Sequence, residues 1–222
     1  MDSTEFARSE PDRSTHGDSA EGSGMIIVVD DDALVRHSLD SLFRSVGYAT
    51  RLYASAREAL SEPWPDMLVC VVTDVRMPDI GGFELQASLA ARHAEIPIVF
   101  MTGHGDIPMT VRAMKAGAVD FLSKPFRDQD MLDAVKAAMD RGRIDREAGR
   151  DNALAQGLYE TLTPREREVM QGVVRGQLNK QIAGDLGIAE ITVKLHRASV
   201  MRKMNVRRVP DLVRLAAVIG QP

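Results

Sequence analysis

Met25-Ile26-Ile27-Val28-Val29-Asp30-Asp31-Asp32-Ala33-Leu34-Val35 is the stretch from which the fold can be read. Its first five residues are apolar without a break. A strand with one wet face would alternate, so this one is expected to be buried on both sides, as in a parallel sheet covered by helices. Three carboxylates end the run at once. Asp32 is placed to cap a helix opening at Ala33, because its side-chain oxygen can accept from the unpaired N–H groups of a first turn.

The same alternation continues outward from this stretch. Apolar runs at Tyr48–Tyr53, Met67–Thr73, Ile96–Met101 and Val119–Leu122 are interleaved with amphipathic stretches at Ala33–Val46, Ser55–Leu60, Phe83–Arg92, Ile107–Ala116 and Asp128–Asp140. Five βα units predict a doubly wound α/β domain with a five-stranded parallel sheet over residues 25–140. Residues 1–24 have almost nothing to bury and are expected to form a disordered tail. The charged stretch 141–157, with Gly142 and Gly149, reads as a linker or as an extension of the helix before it. From 158 to 222 there is no strand signal. Thr163 before Pro164 opens one helix, Asn179 begins a second, and Gly187 makes a turn. A third helix follows over Ala189–Met204 and a fourth over Val209–Ile219, so the second domain is all-α with four helices.

Of the 222 residues, 44% are apolar and 27% charged, an ordinary globular balance that leaves each half enough to bury a core. The apolar runs are strand-sized, below the roughly 18 residues of a membrane span, and neither a membrane segment nor a secretion signal is expected. A lone Cys70 excludes an internal disulfide and suits the cytoplasm. The net charge of −4 hides an asymmetry: eleven basic against six acidic residues from Leu158 onward give +5, leaving −9 for the rest. By itself the basic end signals either a polyanion partner or a solvated basic face.

In an open parallel sheet, ligands bind at the carboxyl ends of the strands. Here those ends carry Asp30, Asp31 and Asp32, then Asp74, Thr102 and Lys124. Clustered carboxylates stay ionised only beside a cation, and Mg2+, hard and oxygen-seeking, suits them best. The histidines, His16, His37, His93, His104 and His196, are scattered, so zinc is not expected. Gly103-His104-Gly105 follows the wrong strand for a dinucleotide turn, and a row of aspartates would repel a pyrophosphate.

Val28-Val29-Asp30-Asp31-Asp32, Thr73-Asp74-Val75-Arg76-Met77-Pro78-Asp79, Thr102-Gly103-His104-Gly105-Asp106 and Lys124-Pro125-Phe126 resemble the response-regulator receivers, in particular the FixJ and StyR-like subgroup. The resemblance implies a flavodoxin-like receiver. In it Asp74 would be the phosphoacceptor, Lys124 would pair with the phosphoryl oxygens, and Mg2+ would be held by Asp30, Asp31, Asp74 and the Arg76 backbone carbonyl. It also implies a sensor histidine kinase as donor and a cis Lys124–Pro125 bond. Thr102 and Phe121 would be switch residues; Thr102 also has the plainer reading of a β-branched strand residue, and Phe121 reads equally as a core phenylalanine.

Leu162-Thr163-Pro164-Arg165-Glu166-Arg167-Glu168-Val169, Asn179-Lys180-Gln181-Ile182-Ala183 and Ile191-Thr192-Val193-Lys194-Leu195-His196-Arg197 resemble the LuxR-type helix-turn-helix. The second helix would brace a third that enters the major groove of double-stranded DNA. On a helical wheel Val193, Val200 and Met204 face inward, while Leu195, Ala198, Ser199 and Arg202 face outward with Lys194 and Lys203 on the flanks. Lys194 is the expected base-edge contact and Leu195 an apolar contact to a thymine methyl or sugar. Thr192, Lys180, Arg202, Lys203, Arg207 and Arg208 are expected at phosphates. Such proteins bind paired half-sites, which implies homodimerisation on phosphorylation, with RNA polymerase as a candidate partner. The rival readings are a constitutive adaptor and an α/β enzyme acting on a small phosphorylated substrate. Against the first stands the intact set Asp31, Asp74, Thr102 and Lys124; against the second, no acid or base lies beyond this pocket.

Overall fold

A computed structural model describes residues 24–92, 96–103 and 107–221 of the chain. The tail expected over 1–24 lies outside the described residues except for Gly24, as do His104, Gly105 and Asp106 of the stretch after the fourth strand.

The first unit ends at Gly142 and the second begins at Arg143. In the first, β1 (Met25–Val29), α1 (Ala33–Ser45), β2 (Ala49–Tyr53), α2 (Ala56–Ser61), β3 (Val69–Asp74), α3 (Gly82–Arg92), β4 (Ile98–Thr102), α4 (Ile107–Lys115) and β5 (Asp120–Ser123) follow one another, and α5 (Asp128–Glu160) begins there and ends in the second. The sheet order is β2-β1-β3-β4-β5 and every pair is parallel. This is the doubly wound arrangement expected, with the order reversing between β1 and β3.

Unbroken apolar strands feed two cores because successive side chains point to opposite faces. Ile27, Val29, Val71, Ile98 and Phe100 pack on one side with Leu85 and Leu89 of α3. Ile26, Val28, Cys70, Val72, Val99 and Met101 pack on the other with Leu39 and Phe43 of α1 and Met131, Val135 and Met139 of α5. Each fully buried side chain of this kind contributes roughly 1.5–3 kcal/mol. Register puts Asp74 beside Met101 and Thr102 beside Ser123, so the polar strand ends share one rim. The Lys124–Pro125 bond is cis.

The stretch 141–157, expected as a linker or an extension of the preceding helix, is helical throughout: α5 runs unbroken over 33 residues. It contains no proline, and its alanines, arginines and glutamate favour helix strongly enough to carry three glycines at up to about 1 kcal/mol each.

The second unit contains α6 (Pro164–Val174), α7 (Asn179–Leu186), α8 (Glu190–Lys203) and α9 (Val209–Val218). Thr163 caps α6 in a full capping box with Glu166. Gly187 closes α7 at φ 63°, a left-handed conformation that a side chain would strain. Val169, Met170, Val173, Ile182, Val193, Val200, Met204, Leu212 and Ala216 form its core, joined by Tyr159 and Leu162. No helix among the described residues is long and apolar enough to cross a membrane.

Candidate functional site

At the rim of the first unit, Lys124 extends its ammonium between two carboxylates. Its Nζ donates to Asp30 Oδ2 and to Asp74 Oδ2, each at 2.6 Å. The other oxygens are held by backbone: Asp30 Oδ1 accepts from the Asp32 N–H and Asp74 Oδ1 from the Arg76 N–H, both at 2.8 Å. Asp30 is sealed, its side chain 1% exposed, whereas Asp74 keeps 12% and Lys124 22%. Burial pushes the Asp30 carboxyl up, and the Lys124 ammonium offsets this only in part. For Lys124 burial works downward, but hydrogen bonds and charge from Asp30 and Asp74 outweigh it and raise its pKa. One ammonium thus compensates two acids, and the acid open to solvent is Asp74.

The backbone holds this geometry from several sides. Arg36 Nη1 donates to the Asp30 carbonyl at 2.6 Å, the Val75 N–H to Met101 O at 2.9 Å, and the Lys124 N–H to Thr102 O at 2.7 Å. Asp32 caps α1 by accepting from the Leu34 N–H at 2.8 Å. Gly82, not singled out in the sequence, starts α3 against the Asp74 carbonyl, where a Cβ would meet that oxygen at 2.5 Å and Phe100 Cε1 at 3.0 Å. The Gly81-Gly82 pair was the available signal.

Asp31 is exposed at the same rim, and among the described residues no three acidic, histidine or cysteine side chains are gathered as they would be around a metal ion. The structure therefore brings Asp30 and Asp74 together through Lys124, with Asp31 outside the cluster. Thr102 is fully buried at the end of β4. Phe121 is half-buried, packed against the first core with its ring centroid 6.4 Å from that of Phe100. Phe100 in turn lies 5.0 Å from Phe83, over which the Arg112 guanidinium sits at 4.5 Å.

In the second unit α8 buries Val193 and Val200, with Met204 buried at its C-terminal cap, as the wheel predicted. Lys180, Lys194, Leu195, Ala198, Arg202, Arg207 and Arg208 are exposed, and Thr192 is half-buried. Lys194 lies 3.4 Å from Glu190, and Arg208 pairs with Asp211 at 3.1 Å. Lys203 differs from expectation. Its Nζ donates to Glu166 Oε2 at 2.6 Å and to the Thr161 carbonyl at 3.0 Å, so its ammonium is committed inside the domain. Ser199, expected to face outward, turns its hydroxyl to Glu166 Oε1 at 2.6 Å. Glu166 also accepts from the Thr163 N–H at 2.8 Å. Burial acts to raise its pKa, but the bonds from Lys203, Ser199 and Thr163 prevail and hold it at about 2. Sequence reasoning missed this anchor; the Thr163-to-Glu166 capping spacing was its one visible trace.

Comparison with known proteins covers both units. The response regulator receiver domain family matches residues 26–136, and the luxR family of bacterial regulatory proteins matches residues 160–216. The chain is 54% identical over 201 residues to nodulation protein W of Bradyrhizobium diazoefficiens, covering 90% of this chain and 88% of that protein. It is 45% identical over 195 residues to the transcriptional regulatory protein FixJ of Rhizobium meliloti, covering 87% and 95%. The solved structure of response regulator StyR superposes with a TM-score of 0.77 at 47% identity, covering 88% of this chain and 99% of that one.

Proposed function

Since this chain belongs to the response regulators that join a receiver domain to a LuxR-type DNA-binding domain, we propose that Asp74 is the phosphoacceptor that controls its binding to DNA. The observation that carries this is the pair of carboxylates on one ammonium, of which only Asp74 is open to an incoming phosphoryl group. A carboxylate oxygen of Asp74 attacks the phosphorus of a phosphohistidine on a sensor kinase. The new O–P bond makes an acyl phosphate as the P–N bond breaks and the histidine departs with the electron pair. Lys124, released from its bond to Asp74, follows the negative charge onto the phosphoryl oxygens, while the Arg76 N–H keeps the remaining carboxyl oxygen in place. Thr102 and Phe121 then act as the switch pair, the hydroxyl moving toward phosphate and the ring into the space it leaves.

Receiver domains generally use Mg2+ for this step. The donor set fits such an ion: Asp30 and Asp74 already share one cation, and two carboxylates with a backbone carbonyl, here that of Arg76, match its preference for oxygen. Asp31, at the rim, would join them. When bound, the ion neutralises charge on the transferred group. The protein is a stoichiometric regulator, returning to its resting state by slow hydrolysis of its own acyl phosphate.

Phosphorylation pairs two receivers through the surface of α4, β5 and α5. Ile107, Val111 and Met114, spaced to share one side of α4, support this reading, for all three are exposed. The paired chains bind a two-part operator in the cytoplasm and act with RNA polymerase. Replacing Asp74 with Ala should abolish acid-labile phosphate incorporation from a phosphorylated kinase; retained labelling would identify another nucleophile. Solution mass should double with beryllofluoride, a phosphate mimic. An unchanged monomer with unchanged DNA affinity would rule out this route.

A further inference from the structure

The outward side of α8 is unusually apolar for a helix expected to read bases. Ile191 is 64% exposed and Leu195, one turn on, 66%. Ala198 continues the same stripe, and Arg202 follows it only in the last turn. Ser199, on the other flank of the stripe from Lys194, is turned away to Glu166. No Asn or Gln stands anywhere on α8. The side chains that make paired hydrogen bonds to adenine are therefore missing from the helix, and among its first two turns the exposed donor suited to guanine is Lys194, on the flank of the stripe rather than within it.

Resting on the assignment of α8 as the DNA-reading helix, we infer that Ile191 and Leu195 form a thymine-reading pair, which makes the operator half-site one that presents thymine methyl groups to this stripe. The chemistry leaves one base feature for an aliphatic side chain in the major groove, the C5 methyl of thymine. Cations flank the stripe: Lys194 beside it, Arg202 at its end, and Lys180 exposed on α7. Such a rim draws a polyanion toward the apolar strip and argues against a second apolar protein surface as its occupant. Residues four apart on a helix are separated by about 6 Å along its axis. Base pairs rise about 3.4 Å per step, so the two side chains reach thymines one or two steps apart.

The full chain carrying beryllofluoride is used to select its preferred duplex from a random-sequence pool. That duplex is then made with each thymine in turn replaced by uracil, which lacks only the methyl. One or two replacements per half-site should weaken binding about four-fold, corresponding to ~0.8 kcal/mol for one buried methyl-sized group. Ile191→Ala and Leu195→Ala should each become indifferent to one of those replacements while still binding the duplex. Equal binding of every uracil duplex overturns the inference while leaving DNA binding intact. So does unchanged sensitivity in both variants, or a loss of self-association by them without DNA. Selection of no duplex at all overturns the DNA-binding assignment and the inference with it.

Discussion

At the scale of single residues, the receiver site depends on a backbone contact as much as on its charges. Asp74 ends β3, and its carbonyl oxygen sits where a Cβ on Gly82 would come within 2.5 Å, with Phe100 Cε1 at 3.0 Å and Val75 Cα at 3.2 Å. Two of those three atoms are backbone, so no side-chain rotation relieves the contact. Gly82→Ala must therefore push α3 off the sheet or shift Asp74. The expected cost is roughly 1–3 kcal/mol, the range for forcing an extra carbon into a packed site. Phosphoryl incorporation should fall with it, because Lys124 meets Asp74 and Asp30 at 2.6 Å each and a displaced carboxylate cannot keep both bonds. Trp64, the one tryptophan, packs on the first core and reports the unfolding of this unit alone. A urea midpoint equal to that of the parent would show that the contact is relieved without cost. The carboxylates and the lysine were legible in the sequence, since parallel strands deliver their ends to one rim. Gly82 was not, for its meaning lies in a neighbour's carbonyl rather than in its own chemistry.

At the scale of elements, Glu166 ties α6 to α8 and to the turn after α5. It is 5% exposed and takes bonds from Thr163, Ser199 and Lys203, while Lys203 also reaches the Thr161 carbonyl. Its pKa lies at about 2 in the folded domain against 4.5 ordinarily. A carboxylate with a lowered folded pKa contributes stability that is present above pH 4.5 and lost as the pH falls from there toward 2. Protection factors for hydrogen exchange in α6 and α8 should therefore fall across that window, and Glu166→Gln should flatten the change. An equally steep acid limb in Glu166→Gln would place the titration elsewhere. Glu166→Ala leaves Ser199 without its acceptor and Lys203 with the Thr161 carbonyl alone, and should cost roughly 2–3 kcal/mol. The Thr163-to-Glu166 spacing told of a helix start, but a partner 37 positions away leaves no local pattern. The continuity of α5 through 141–157 stayed open, linker against longer helix, for a related reason. Periodicity reveals a helix by the face it buries, and between 141 and 157 only Gly142 and Ala155 are buried, too few to show one.

At the scale of the whole molecule, the division of charge becomes a measurable property. The chain is −4 overall, yet eleven basic residues against six acidic from Leu158 onward make the DNA-binding end +5. Affinity for a duplex should therefore rest on the exposed cations of that end and fall with salt in proportion to their number. Lys180, Lys194, Arg202 and Arg207 are exposed on the second unit, whereas Lys203 is bound to Glu166 and Arg208 pairs with Asp211. With Lys194 kept for a base edge, three phosphate contacts per half-site, six if two chains bind together, predict a slope of about −5 for the logarithm of affinity against that of salt concentration, at about 0.9 per contact. Arg207→Ala should make the slope shallower by about 1 per half-site, with base preference unchanged, because a phosphate contact carries no sequence information. Lys203→Met should behave differently: the domain loses stability through its orphaned Glu166, but the slope for the folded fraction stays where it was. Filter-binding titrations from 50 to 200 mM salt separate the two, as that range spans orders of magnitude in affinity for such a charge. A slope reduced equally by both substitutions would mean that Lys203 leaves Glu166 for a phosphate when DNA arrives, and that the anchor between α6 and α8 opens on binding.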